Sequence, residues 1–216
     1  MLTIDIKEAN DFEKIRIYEG YKPLGNNNEY GTMTIIVNIL KDIKFEGIFK
    51  PLVFDSYDII IKGNNKTISN LIVYDAGQNN GLFSSVNSII ANNLTVSTTI
   101  IRGTKNSGCI VGFCKNDAVF NNIKILNSMI ISKGYSGGLV GLAKNVSVNY
   151  SMVNSFITGI NYVGGFAGIC VNYKEINSQK LPTLLVMGNN HDNSVGYSRT
   201  KIIKDEDDKQ FKLRYF

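Results

Sequence analysis

The sequence is poor in the residue types that build several common kinds of functional site. Its 216 residues include no tryptophan, three prolines, three cysteines and a single histidine, His191. Three cysteines are too few for a disulfide framework, and the spacing of Cys109, Cys114 and Cys170 matches no zinc pattern. We therefore expect free, buried thiols, no metal site and no cofactor.

Charge is also scarce, and it is not concentrated. Charged residues make up 19% of the chain, the net charge is +5 and the isoelectric point is about 9.0. The basic residues are scattered, so the sequence does not predict a nucleic-acid partner. No apolar run is long enough to span a bilayer, so we expect no membrane insertion.

The first ten residues, "MLTIDIKEAN", lack the apolar core of a secretory signal peptide. Localisation is therefore left open by the sequence. We expect an extracellular or cell-surface protein if the segment belongs to a larger secreted chain, and otherwise a cytoplasmic protein or part of a phage virion.

The residues that are abundant favour β structure. Isoleucine and valine suit strands, whereas asparagine and glycine, of which there are 20, suit corners. Glycine-rich segments also recur: "NNGLFSSV" (79–86), "SGCIVGFC" (107–114), "SGGLVGLA" (136–143) and "VGGFAGIC" (163–170) align position by position. A column of Gly81, Cys109, Gly138 and Gly165 is spaced by 28, 29 and 27 residues. We assign nine glycines to this structural repeat: Gly81, Gly108, Gly112, Gly137, Gly138, Gly141, Gly164, Gly165 and Gly168.

A second alignment supports the same period. "NNLTV" (92–96), "NNIKI" (121–125) and "VNYSM" (148–152) align, and "SNLIV" (69–73) resembles a shorter copy. This alignment predicts one asparagine column at a corner, where side-chain amides can bond in a ladder and the left-handed backbone is tolerated. The predicted column contains Asn70, Asn93, Asn122 and Asn149.

A repeat of about 28 residues, rich in β-branched residues and glycine, predicts one coil of three short strands. We therefore expect an all-β fold: a right-handed parallel β-helix of about five to six coils. Residues 7–20 read as a short amphipathic helix with Phe12, Ile15 and Ile17 as its contacts. We predict an N-terminal cap at 1–32, the β-helix at 33–170, and an irregular last coil and C-terminal cap at 171–216.

Two of the glycine segments carry a recognisable motif. Gly138-Leu139-Val140-Gly141 and Gly165-Phe166-Ala167-Gly168 resemble the GLUG motif, and residues 45–73 resemble the stretch that precedes such repeats in bacterial surface proteins. The resemblance covers roughly residues 30–170. It implies a β-helix from a large secreted or surface-attached bacterial protein, in a part without catalytic function. The chain has no H-E-x-x-H, the zinc-peptidase motif found in some proteins with such repeats.

Catalytic candidates are few. A β-helix can carry a polysaccharide lyase or glycosidase, which needs clustered carboxylates or a Lys/Arg base on one face. The candidate acids Asp55, Asp58, Asp75 and Asp117 are spread over different coils, and residues 118–170 contain no acid at all. We assign no catalytic residue.

The aromatic residues offer a binding site instead. Tyr135 and Tyr162 are 27 residues apart, each just before a glycine cluster, so we expect their rings to stack. They stiffen a corner or contact a sugar or another partner.

We thus expect a non-enzymatic binding or adhesion module of a bacterial surface or phage protein, with a protein or glycan partner. The alternatives are a polysaccharide-active enzyme and an intracellular effector or inhibitor that binds a partner. A homo-oligomer is compatible with each.

Overall fold

A computed structural model of the chain describes residues 1–20, 32–74, 77–181, 184–204 and 212–215. These residues form mostly parallel strands, wound into a β-solenoid of about six turns with a short helix near the N-terminus. The predicted all-β parallel β-helix is confirmed. The helix α1 (Glu13–Arg16) follows a 3-10 turn at Ala9–Phe12. The strands are β1 (Leu2–Ile6), β2 (Met33–Ile39), β3 (Ile43–Lys44), β4 (Leu52–Ser69), β5 (Ile72–Tyr74), β6 (Asn79–Asn80), β7 (Phe83–Ser97), β8 (Ile100–Gly103), β9 (Asn106–Ser107), β10 (Val111–Ser132), β11 (Tyr135–Gly137), β12 (Val140–Asn149), β13 (Met152–Thr158), β14 (Tyr162–Gly164), β15 (Ala167–Ile176), β16 (Gln179–Lys180), β17 (Leu185–Met187), β18 (Asn190–Asp192), β19 (Val195–Lys204) and β20 (Lys212–Tyr215).

Successive coils stack their strands in three series. The longest series has the order β1-β2-β4-β7-β10-β12-β15-β19-β20, in which β20 pairs antiparallel with β19 and the other pairs are parallel. A second sheet has the order β6-β9-β11-β14-β18. The third side is built by β5, β8, the end of β10, β13 and β17. The enclosed core is aliphatic and aromatic throughout.

The glycine-rich repeat has the predicted register over most of its length. Val111 lies opposite Phe83 and Val140, and Val140 lies opposite Ala167, so these residues form one buried column. The first copy is one residue shorter, because Asn80 lies opposite Ser107 whereas Phe83 lies opposite Val111. Gly81 therefore lies beside Gly108, and its predicted alignment with Cys109 is wrong.

The glycines allow two backbones to touch. A Cβ atom added at Gly141 would lie 2.5 Å from the backbone nitrogen of Ser107 and 2.7 Å from the carbonyl oxygen of Gly112. At Gly168 it would lie 2.5 Å from the oxygen of Gly141 and 2.9 Å from the backbone nitrogen of Ser136, which belongs to β11 of the second sheet. The backbone of the first strand series is thus in direct contact with the backbone of the second sheet, and a side chain at these positions would clash with it.

The predicted asparagine column is wrong, because its members lie at two corners. Asn122 stacks on Asn93, its Nδ2 donating to Oδ1 over 2.8 Å. Asn149 instead lies opposite Asn121 and donates to it over 2.7 Å. Asn70 occupies the next corner, where its N–H donates to the carbonyl of Ser97.

The one-residue difference arises because β10 carries its extra residues at two separate points. The pairing of β10 with β12 passes from Cys114–Ala143 to Asp117–Asn145, so one extra residue in β10 reduces the spacing of paired residues from 29 to 28. The predicted pairing of Asn122 with Asn149 needs a spacing of 27, which is reached only past the corner, where the pairing of β10 with β13 passes from Leu126–Asn154 to Met129–Phe156. Because Asn149 pairs with Asn121, the next residue, Tyr150, takes the corner position that Asn93 and Asn122 occupy in earlier coils. Tyr150 has their left-handed backbone conformation, with φ of 49°.

The solenoid extends beyond both predicted boundaries. β1, inside the predicted cap at 1–32, already pairs in parallel with β2. At the other end, β19 continues the pattern, with Val195 opposite Ala167. The predicted helix is present but short: Phe12 and Ile15 are buried, whereas Ile17, just past the end of α1, is exposed.

Candidate binding faces

Tyrosine rings from three successive coils form a stack on the outside of the solenoid. The ring centroids of Tyr135 and Tyr162 are 5.7 Å apart, which confirms the predicted stacking. A third ring, Tyr197, lies 5.3 Å from Tyr162. Tyr197 was missed by the sequence reasoning, although "VGY" at 195–197 is a copy of Val140-Gly141-Leu142.

A row of partly exposed apolar side chains on the first strand series borders this stack. Tyr197 lies opposite Ile169, Ile169 opposite Leu142, and Leu142 opposite Phe113. Tyr197 is 44% exposed, and the other side chains are partly exposed. We call the combined surface the tyrosine face. It consists of Phe113, Tyr135, Leu142, Tyr162, Ile169 and Tyr197.

A second outward surface runs along the third side of the solenoid. One large apolar residue from each of six coils lines up there by strand pairing. Ile48 is 73% exposed, Met129 41% and Leu185 49%. We call this set the apolar column; its members are Ile48, Ile72, Ile100, Met129, Phe156 and Leu185.

The outward residues beside the apolar column include aromatic, charged and apolar side chains. Tyr74 and Met187 are about half exposed, and the Arg102 guanidinium lies 5.6 Å from the centre of the Tyr74 ring. The sequence reasoning missed this surface. Its signal is nonetheless in the sequence, since the column from Ile72 to Leu185 repeats at intervals of 28, 29, 27 and 29 residues.

The candidate catalytic acids support the ladders of amides between coils. Asn87 Nδ2 donates to Asp58 Oδ1 over 2.8 Å, and Asn145 Nδ2 donates to Asp117 Oδ1 over 2.6 Å. Asp55 is exposed, and Asp75 lies outside the described residues. The expectation that the acids lie on different coils is wrong for Asp55 and Asp58, which share β4. Among the described acids, Asp58 and Asp117 each begin a separate ladder.

A buried polar cluster near the C-terminal end was not foreseen. Glu175, 1% exposed, accepts a hydrogen bond of 2.8 Å from the hydroxyl of Tyr173 and forms an ion pair with Lys180. Burial, followed by the neighbouring carboxylate, raises the pKa of Tyr173 well above its usual value. Nearby, Lys201 pairs with Asp192 over 2.9 Å. Burial opposes ionisation of Asp192, but the bonds from Lys201 and the backbone outweigh it and lower its pKa.

The three thiols are free and buried, as predicted. Cys114, Ala143 and Cys170 lie in one column, with Ala143 between the two thiols. Burial raises the pKa of each cysteine to about 12. Such thiols are poor nucleophiles at neutral pH. His191 is exposed at the surface, with Nδ1 2.9 Å from the carbonyl oxygen of Gly188.

Within the described ranges, no group of three or more His, Cys, Asp or Glu side chains is arranged to hold a metal ion. No helix among these residues is long and apolar enough to cross a membrane. No family model, curated protein or solved structure matches the chain. The resemblance to GLUG repeats therefore remains a prediction that rests on the motifs themselves.

Proposed function

We propose that the chain is a non-enzymatic binding module that recognises a glycan through the tyrosine face, as part of a bacterial surface or phage adhesin. The observation that carries the proposal is the stack of Tyr135, Tyr162 and Tyr197 on consecutive coils. Tyrosine combines an apolar ring with a polar hydroxyl, which suits contact with the apolar and hydroxyl-bearing sides of a sugar.

The periodicity of the face fits a repetitive ligand. Parallel coils are about 4.8 Å apart, and three consecutive coils each place one tyrosine ring on the face. Tyr135 and Tyr162 come from the second sheet, and Tyr197 comes from the first series. A polysaccharide presents repeated units, and successive units can therefore contact the rings of successive coils. Phe113, Leu142 and Ile169 widen the apolar surface beside the rings.

The hydrogen bonds that Asp58 and Asp117 accept favour a binding function over hydrolysis. A glycosidase needs two carboxyl groups facing the bond that is cleaved. Asp58 and Asp117 instead accept hydrogen bonds from Asn87 and Asn145 in separate ladders. This arrangement supports a structural role for these carboxylates.

A glycan array with the full chain, followed by calorimetry on the strongest ligand, tests the proposal. Tyr197→Ala should weaken binding at least about tenfold, as expected for an aromatic contact residue. Tyr74→Ala is the matched control, because Tyr74 is 47% exposed against 44% for Tyr197 but lies on another side. Equal loss in both variants, no bound glycan, or release of reducing sugar from the ligand would each contradict the proposal.

A further inference from the structure

The apolar column is an unusual feature for a solvent-facing side. Six coils each contribute a large apolar residue at the same position, from Ile48 to Leu185. The column spans five intervals of about 4.8 Å, or roughly 24 Å. Contiguous exposed apolar surface is typical of an interaction site.

The dimensions favour a slender occupant. The apolar column and the row beside it, which runs from Tyr74 through Arg102 to Met187, are each roughly 24 Å long and together cover an area of roughly 300 Å². A stable contact between two globular proteins buries about 800 Å² on each partner. A single peptide segment therefore fits this surface better than a second copy of the chain.

The spacing favours a helix over an extended strand. Successive turns of an α-helix are about 5.4 Å apart, close to the coil spacing of about 4.8 Å. Residues on one side of an extended strand are about 6.6 Å apart. Over the whole column a helix drifts out of step by about 3 Å, whereas a strand drifts by about 9 Å.

The surrounding charge favours an acidic partner. In the middle coils of the column, residues 77–174 contain seven Lys or Arg and one acid, Asp117, and Asp117 belongs to the first strand series. Arg102 lies on the strand next to Met129, and Lys105 and Lys133 are exposed in the turns that follow. Cations along one edge of an apolar strip complement an amphipathic helix that carries carboxylates on its flank.

We propose that the apolar column, with Arg102, Lys105 and Lys133 along its edge, is a docking surface for an acidic amphipathic helix of a protein partner. The helix lies along the solenoid axis and places one apolar side chain on each coil. This surface is separate from the tyrosine face, and the proposal does not depend on glycan binding.

The test uses a labelled synthetic peptide of about 16 residues, enough to span the column, with leucines at helical spacing and glutamates elsewhere. We expect saturable binding by fluorescence anisotropy that weakens as ionic strength rises. A peptide with lysine in place of glutamate, and a scrambled glutamate peptide, should bind at least about tenfold more weakly. Failure of the first peptide to bind, or equal binding of all three, overturns the proposal.

Substitutions locate the site. Met129→Asp should weaken peptide binding at least about tenfold, whereas Ile90→Asp should not, since Ile90 is 40% exposed but lies on another side. Leu185→Asp, near the end of the column, should also weaken it and serves if Met129→Asp does not fold. Tyr197→Ala should leave peptide binding unchanged. Equal loss with Ile90→Asp overturns the assignment.

Two further measurements separate other occupants. In sedimentation equilibrium, a dimer that dissociates in the Met129→Asp variant would assign the surface to a second copy and overturn the proposal. Binding to phosphatidylserine vesicles that is lost in this variant, without peptide binding, would assign the surface to lipid and overturn it equally. A monomer that binds the peptide and leaves the vesicles free supports it.

Discussion

Asn145 donates a hydrogen bond of 2.6 Å to the carboxylate of Asp117 and accepts one of 2.7 Å from Asn172 in the next coil. Thr200 then donates to Asn172 over 2.8 Å. Each side chain in this ladder donates its hydrogen bond to the preceding coil, so the first member only has to accept one. A carboxylate suits this position because it accepts hydrogen bonds and has no N–H that would be left unpaired. Two other ladders start in the same way: Asn38 and Asn64 follow Asp5, and Asn87 and Asn116 follow Asp58.

Removing the acceptor at the start of a ladder should destabilise the fold modestly. We expect Asp117→Ala to lower the free energy of unfolding by about 0.5–1 kcal/mol, since the bond is charge-assisted but exposed to water. Asp117→Asn keeps a carbonyl acceptor and should cost less. Urea denaturation measures both, and a larger loss in the asparagine variant would contradict the directional ladder.

The glycine motif should tolerate no side chain where the backbones touch. Gly141→Ala places a methyl group within 2.5–2.8 Å of backbone atoms of Ser107, Gly112 and Asn106. We expect a loss of at least about 3 kcal/mol, the upper range for overpacking. Ser147→Ala, on the outer side of the same strand, should change stability by less than about 0.5 kcal/mol. Thermal unfolding of the two variants compares them, and a stable Gly141→Ala protein would refute the close contact.

The Tyr150 corner is a site for stabilisation. A left-handed backbone costs a residue other than glycine or asparagine about 1 kcal/mol. Tyr150→Asn should therefore raise the free energy of unfolding by about 0.5–1 kcal/mol. Asn122→Tyr, the reverse change in the coil below, should lower it. Urea denaturation decides between them, and a destabilised Tyr150→Asn protein would show that contacts of the tyrosine ring outweigh the backbone term.

The buried ion pair should show strong coupling. Lys180→Met leaves the carboxylate of Glu175 buried without its cation, and we expect a loss of about 3 kcal/mol. Combining it with Glu175→Gln removes the charge and should recover most of that loss. A double-mutant cycle from denaturation curves gives the coupling energy. A coupling near zero would mean that the pair is not formed in solution.

The thiols should make the fold sensitive to alkali. Folded pKa values of about 12 exceed the usual 9.0, so between these values the unfolded chain loses protons that the native protein keeps. Stability is full below pH 9 and should fall as the pH rises towards 12. Replacing the three cysteines with alanine should flatten this decline. A thiol reagent at pH 8 should modify the cysteines only after unfolding, and rapid modification of the native protein would contradict their burial.

The repeat was predictable from the sequence because each coil contacts mainly its neighbours. Aligning Val140 with Ala167, or Tyr135 with Tyr162, needs only their spacing. The asparagine column was not predictable in the same way, because β10 carries one extra residue before the corner and a second one only after it, so that Asn149 lies beside Asn121. One inserted residue is invisible in a composition pattern, yet it shifts everything that follows within the coil.

The sequence by itself determined the class of fold and the stacking of Tyr135 on Tyr162, since a fixed period of β-branched residues and glycine can satisfy its backbone bonds by pairing coil on coil. The tertiary structure decided which side chains remain open to solvent. Leu139 and Met129 are similar apolar residues in the same repeat, but the first points into the coil and the second points out. That difference depends on the direction in which the chain turns at each corner, and it separates the core from the apolar column.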